Sequence, residues 1–142
     1  PRLRLEPLGE DAQLLIADGE RCTSDDLKSC TREVYLLPLI EQRFMQANLV
    51  VDDAAVGPAR VITTERRATT LSDGWIRRSD VQRRLRLSSD TTVINEVIRI
   101  RLCDPSSEPE LCREEHRHAE DRPLAWQDGR FTTTRSAWDD TP

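Results

Sequence analysis

Hydrophobic and polar residues alternate with period two through the middle of this chain. Over residues 75–87, Trp75, Val81, Leu85 and Leu87 share one parity, and Arg78, Arg84 and Arg86 share the other. Over 92–103, Ile94, Ile98, Ile100 and Leu102 fall on one face and Arg99 and Arg101 on the opposite one. Period two with β-branched residues marks strands that bury one face. Residues 60–71, rich in Val, Ile and Thr, precede them. Ser72-Asp73-Gly74 and Ser88-Ser89-Asp90 supply turns between the runs. The pattern predicts a three-stranded antiparallel meander over 60–102, apolar inside and rich in arginine outside.

The flanks are less regular. Leu3 and Leu5 alternate with Arg2 and Arg4, and 12–17 is a second apolar run closed by Asp18-Gly19, a turn signal. Ser24-Asp25-Asp26 suits the start of a single helical turn. Residues 34–37 read as a buried strand interrupted by Pro38. Residues 39–47 fit either a helix with Pro38 in its first turn or an edge strand. Residues 49–51 predict a short strand ended by Asp52-Asp53, and 54–58 a loop. Ser107 with Glu110 resembles a capping box, which predicts a short helix over 108–119. Asp128-Gly129, between Trp126 and Phe131, is the strongest hairpin signal in the chain.

Composition sets the scale of the core. The chain has 142 residues, one domain's worth, and 37% of them are hydrophobic, against about 45–50% in average domains. The core is therefore lean, and something besides burial is expected to help hold the fold. The longest apolar run, 34–40, has seven residues, far short of the ~20 of a membrane-spanning helix.

Charge sharpens the picture. The net charge is −5, which argues against a nucleic-acid binder, where a basic domain is expected. Its distribution is uneven: residues 60–102 carry a net +5, and the segments on either side carry −5 each. Either the three segments neutralise one another within one fold, or they leave a polarised surface that steers a partner. Twenty of the 21 basic residues are arginine, whose planar guanidinium bonds carboxylates through two parallel hydrogen bonds.

Four cysteines form two close pairs in sequence, Cys22 with Cys30 and Cys103 with Cys112, each around a polar segment. This predicts two local disulfides and hence an oxidising compartment, periplasmic or extracellular. Export places any signal peptide or lipid anchor upstream of Pro1, since no apolar leader segment is visible in the sequence.

Candidate chemistry is sparse. The two histidines, His116 and His118, follow Cys112 closely, but C-x8-C-x3-H-x-H matches none of the usual zinc spacings, so no metal or other cofactor is expected. Glu114, Glu115, Glu120 and Asp121 are plentiful, yet nothing marks one as a buried acid–base group. Glu96 does stand out, because it shares the apolar parity of Ile94 and Ile98. A carboxylate facing inward must be paired with a neighbouring strand's arginine or have its pKa raised. Nucleophile motifs are absent, and with five glycines and no glycine-rich loop, a phosphate-cradling loop is not expected.

These readings converge on a single exported domain over 1–142. The expected fold is mainly β, an antiparallel meander forming a sandwich or partly open barrel, with one or two short helices and two local disulfides. The expected function is non-enzymatic protein binding in the cell envelope or secreted space, of inhibitor, toxin-immunity or assembly-accessory type. Arg78, Arg84, Arg86, Arg99 and Arg101 form the expected contact surface for another protein. The alternative is a small β-barrel that holds an apolar ligand.

Overall fold

A computed structural model describes residues 2–8, 12–22, 30–87 and 91–142; of Cys22 and Cys30 only the backbone is described. The strands in chain order are β1 (Leu3–Leu8), β2 (Ala12–Cys22), β3 (Cys30–Ile40), β4 (Arg43–Phe44), β5 (Asn48–Val51), β6 (Ala54–Pro58), β7 (Arg60–Thr70), β8 (Ile76–Leu87), β9 (Thr92–Asp104), β10 (Leu111–Gln127) and β11 (Arg130–Thr133). They form one open sheet in the order β1-β2-β3-β7-β8-β9-β10-β11-β5-β6, with β4 folded back on β3. All pairings are antiparallel except β11 with β5. Among the described residues no helix is long and apolar enough to cross a membrane.

The meander stands as expected: β7, β8 and β9 pair in sequence, and the turn at Asp73-Gly74 joins the first two. Val81, Ile94 and Ile98 are buried, whereas Ile100 and Leu102 are only half-buried. The tight turn at Asp128-Gly129 also stands. Both residues take positive φ, and Trp126 meets Phe131 across the hairpin with ring centroids 4.8 Å apart.

Three local readings are corrected and one open choice is settled. From Leu111 on, the segment expected as a helix over 108–119 is instead the first half of β10, which pairs with β9 from Val93 to Asp104. Without β10, the thirteen-residue β9 would leave one row of backbone groups unpaired, and that outweighs a local cap signal. β2 runs straight through Asp18-Gly19 to Cys22. Here the glycine makes room for a ring, since a Cβ at Gly19 would lie 3.2 Å from Tyr35 Cε2. Residues 54–58 form β6 rather than a loop, because Asp52 and Asp53, both at positive φ, make a tight turn that sends the chain back along β5. The open choice at 39–47 falls to strand, with Glu41 and Gln42 turning the chain from β3 into β4. The only helical element among the described residues is a 3-10 turn, Ala137–Asp140. The turn expected at Ser24–Asp26 lies outside the described residues.

One core cluster draws on both halves of the strand order. Leu14 and Ile16 of β2 and Leu36 of β3 pack with Leu124 of β10 and Phe131 of β11, so the sheet curls around them. Ala59 stitches the curl, accepting from Leu36 N at 3.0 Å and donating to the Ala47 carbonyl at 2.8 Å. A second cluster covers the rest of the inner face: Trp138, from the 3-10 turn, lies on Val81 and Ile98. Arg67 holds this segment down, with its guanidinium 4.2 Å above the Trp138 ring and hydrogen bonds to the carbonyls of Trp138 and Thr141.

Candidate functional site

Strands β7 to β10 carry charge on both faces, and register decides which charge goes where. On the inner face, Arg83 of β8 stands directly opposite Glu96 of β9. Glu96 is fully buried. Its carboxylate accepts from Arg83 Nε at 2.7 Å, Arg122 Nη2 at 3.1 Å and the Ser136 hydroxyl at 2.7 Å. Arg83 also donates to Glu65 at 2.8 Å and to the Ile62 carbonyl at 2.9 Å, and Arg122 donates to the Thr134 carbonyl at 2.6 Å. Ser136 caps the 3-10 turn, accepting from Trp138 N at 3.1 Å. Desolvation alone would push the Glu96 pKa up, but the hydrogen bonds from Arg83 and Ser136 and the charges of Arg122 and Arg83 outweigh it and hold it below the usual glutamate value. With both oxygens engaged, its basicity lowered and its surface closed to water, this carboxylate is poorly placed to act as a base. Glu96 therefore joins β8, β9, β10 and the C-terminal segment, and the pairing with neighbouring arginines that its parity allowed is the one observed.

The outer face holds the arginines picked out by alternation. Arg84 and Arg86 are exposed, and neither has an ion pair among the described residues. Arg78 is bonded through two nitrogens to Glu110, at 2.6 and 3.1 Å; this contact holds the Glu110 carboxyl below its usual range and raises the Arg78 guanidinium. Arg99 pairs with Glu114 at 3.2 Å, and Arg101 lies 3.7 Å from Asp80. The structure thus brings all five onto one face of β8 and β9, three answered by acids and two not. The reading in which the three segments neutralise one another holds in part. Glu110 and Glu114, from the acidic C-terminal segment, offset the basic middle, yet cationic groups remain unanswered.

The Cys103–Cys112 disulfide is present, linking register partners on β9 and β10. It closes the loop that carries Glu110 onto Arg78. Its sulfurs are bonded to each other, so the Cys103, Cys112 and Glu110 cluster offers no thiolate ligands. His116 and His118 lie further along β10, opposite Ile100 and Ile98, and His118 sits 3.4 Å from Glu120. Cys22 and Cys30 are register partners on β2 and β3, but their side chains lie outside the described residues.

Sequence reasoning missed Arg83, Arg122 and Ser136. Arg83 had a readable signal, since it shares parity with Val81 and Leu85. Arg122 and Ser136 had none, because each reaches Glu96 from a distant segment.

Compared with family models, with curated proteins and with solved structures, the chain finds no match in any of the three.

Proposed function

We propose that the protein is a non-enzymatic, exported binding module that docks an acidic partner protein on the outer face of β8 and β9. Arg84 and Arg86 carry this reading: they stand exposed on a rigid strand, and no acid among the described residues neutralises them. A strand fixes the spacing of such groups, so less side-chain entropy is lost when they meet carboxylates. Their field mainly speeds encounter and selects the partner, with affinity supplied by a few buried contacts. An inhibitor, a toxin-immunity protein or an assembly accessory would each use such a face. The Cys103–Cys112 disulfide is compatible with a periplasmic or extracellular setting. An apolar-ligand barrel is the rival. The cavities at the β7–β9 face and beside β1–β3 are lined largely by charged side chains, which does not suit an apolar ligand.

The test is kinetic. With a partner recovered by affinity purification and confirmed with pure components, the R84E/R86E variant should associate at least tenfold more slowly at low salt, and the difference should shrink as salt rises. Association at the wild-type rate would remove the arginine face from the reading.

A further inference from the structure

A cavity of about 440 Å³ opens on the same outer face, between β7, β8 and β9, a size common among small-molecule sites. Arg66, Arg78, Arg99 and Arg101 line it, and Asp80 is the one carboxylate in its lining. Register explains the crowding. Arg78 stands directly opposite Arg101 across β8 and β9, and Arg99 directly opposite Arg117 across β9 and β10. Like charges directly opposite each other destabilise a sheet. Glu110, Glu114 and Asp80 offset part of this. The remainder is unanswered: Arg66 has no ion pair among the described residues, and Arg101 Nε is shielded from water with no hydrogen-bond partner. Arg122 Nε is also without a partner, but Arg122 belongs to the buried Glu96 cluster, whereas the Arg101 side chain is 35% exposed and lines the cavity, so an acceptor there would meet the exposed part of its guanidinium rather than Nε.

We propose that this cavity binds a small linear polyanion with two or more linked phosphate groups. Arg78 and Arg101 sit on adjacent strands, about 4.8 Å apart, and Arg99 and Arg101 are two residues apart on one strand, about 7 Å. These are backbone spacings; the long side chains that rise from them, with Arg66 on β7, gather several guanidinium groups around one cavity, enough to meet more than one linked phosphate. Guanidinium forks meet phosphate oxygens through paired hydrogen bonds, so this is a side-chain site and needs no glycine-rich loop. The lining contains no aromatic ring, so there is no platform for stacking a nucleobase, and the anion itself is what is recognised. The site goes beyond partner docking and fails separately from it, because Arg84 and Arg86 do not line it.

The test uses sodium tripolyphosphate, orthophosphate and citrate as probes, titrated by calorimetry into the whole chain at low salt. Tripolyphosphate should bind at least tenfold more tightly than either of the others, and backbone amide signals of 64–68, 78–82 and 99–101 should shift together. The exposed Arg66→Ala change and the R66A/R101Q double variant should lower that affinity at least threefold and tenfold, with thermal unfolding used to confirm that both are folded. R84E/R86E, compared with wild type at about 0.15 M salt so that its added acids are screened, should keep tripolyphosphate binding within about twofold. Three results would overturn the assignment: tripolyphosphate binding no tighter than orthophosphate or citrate, unchanged binding in folded R66A and R66A/R101Q, or an equal loss in R84E/R86E. Slow partner association in R84E/R86E with tripolyphosphate binding intact would separate docking from this site.

Discussion

The two faces of β8, β9 and β10 hold arginines in opposite circumstances. Inside, Arg83 and Arg122 converge on Glu96, which is sealed from water and accepts from both, and Ser136 completes its shell. Outside, Arg78 faces Arg101 and Arg99 faces Arg117 across strands, with acids answering only some of them. The same residue type on the same strands thus serves cohesion on one side and leaves unspent charge on the other. Burial makes the difference. A buried cation without a partner costs several kcal/mol, so the inner face is neutralised closely. Water screens an exposed one, so the outer face tolerates a surplus.

Removing one member of the inner cluster should have the largest effect. Glu96→Gln leaves Arg83 and Arg122 facing a neutral amide, and urea unfolding should show a loss of about 3–5 kcal/mol. A loss below 1 kcal/mol would mean that the cluster holds little. The pH dependence follows the same site. Because the folded carboxyl lies below its ordinary value, its stabilisation is complete above about pH 4.3 and is lost as the pH falls through the folded value. The stability curve of Glu96→Gln should therefore be flatter than wild type on the acid side.

Trp138→Ala tests whether the C-terminal segment truly covers the inner face. A buried indole on Val81 and Ile98 predicts a cost of about 3–5 kcal/mol, together with faster amide exchange in the middle of β8 and β9. Unchanged exchange would mean that the sheet does not depend on this cover.

The disulfide comes next. C103S/C112S should lower stability by about 2–3 kcal/mol in the chain-entropy model for a loop of this length. It should also loosen the Arg78–Glu110 pair, seen as a rise of the Glu110 pKa by NMR. Thiol titration of the denatured, unreduced chain should find close to none, because Cys22 and Cys30 also stand as register partners. Two free thiols would confine the bridging to Cys103–Cys112.

The smallest expected effect is on the outer face. R84E/R86E should change folding stability by less than about 0.5 kcal/mol, measured by the same urea unfolding. A cost of several kcal/mol would erase the contrast between the faces.

The sequence alone determined the parts governed by local pattern. Alternation over 60–102 predicted the meander and sorted its side chains, so that Ile94 and Ile98 are buried and Arg84 and Arg86 exposed. Asp128-Gly129 predicted its hairpin, since both positions need positive φ. The spacing of Cys103 and Cys112 predicted their bridge, because a short polar loop returns the chain beside itself. Tertiary structure decided everything that depended on a distant partner. The 108–119 segment carries a helix-start signal, yet it is a strand because β9 offers an unpaired edge. Period two placed Glu96 indoors but could not say that Arg122 and Ser136 would meet it, from 26 and 40 residues away. Nor could it bring Trp138 onto Val81. Alternation fixes which side of a strand is buried; what covers that side depends on how far-apart segments pack, and one strand's pattern holds no record of that.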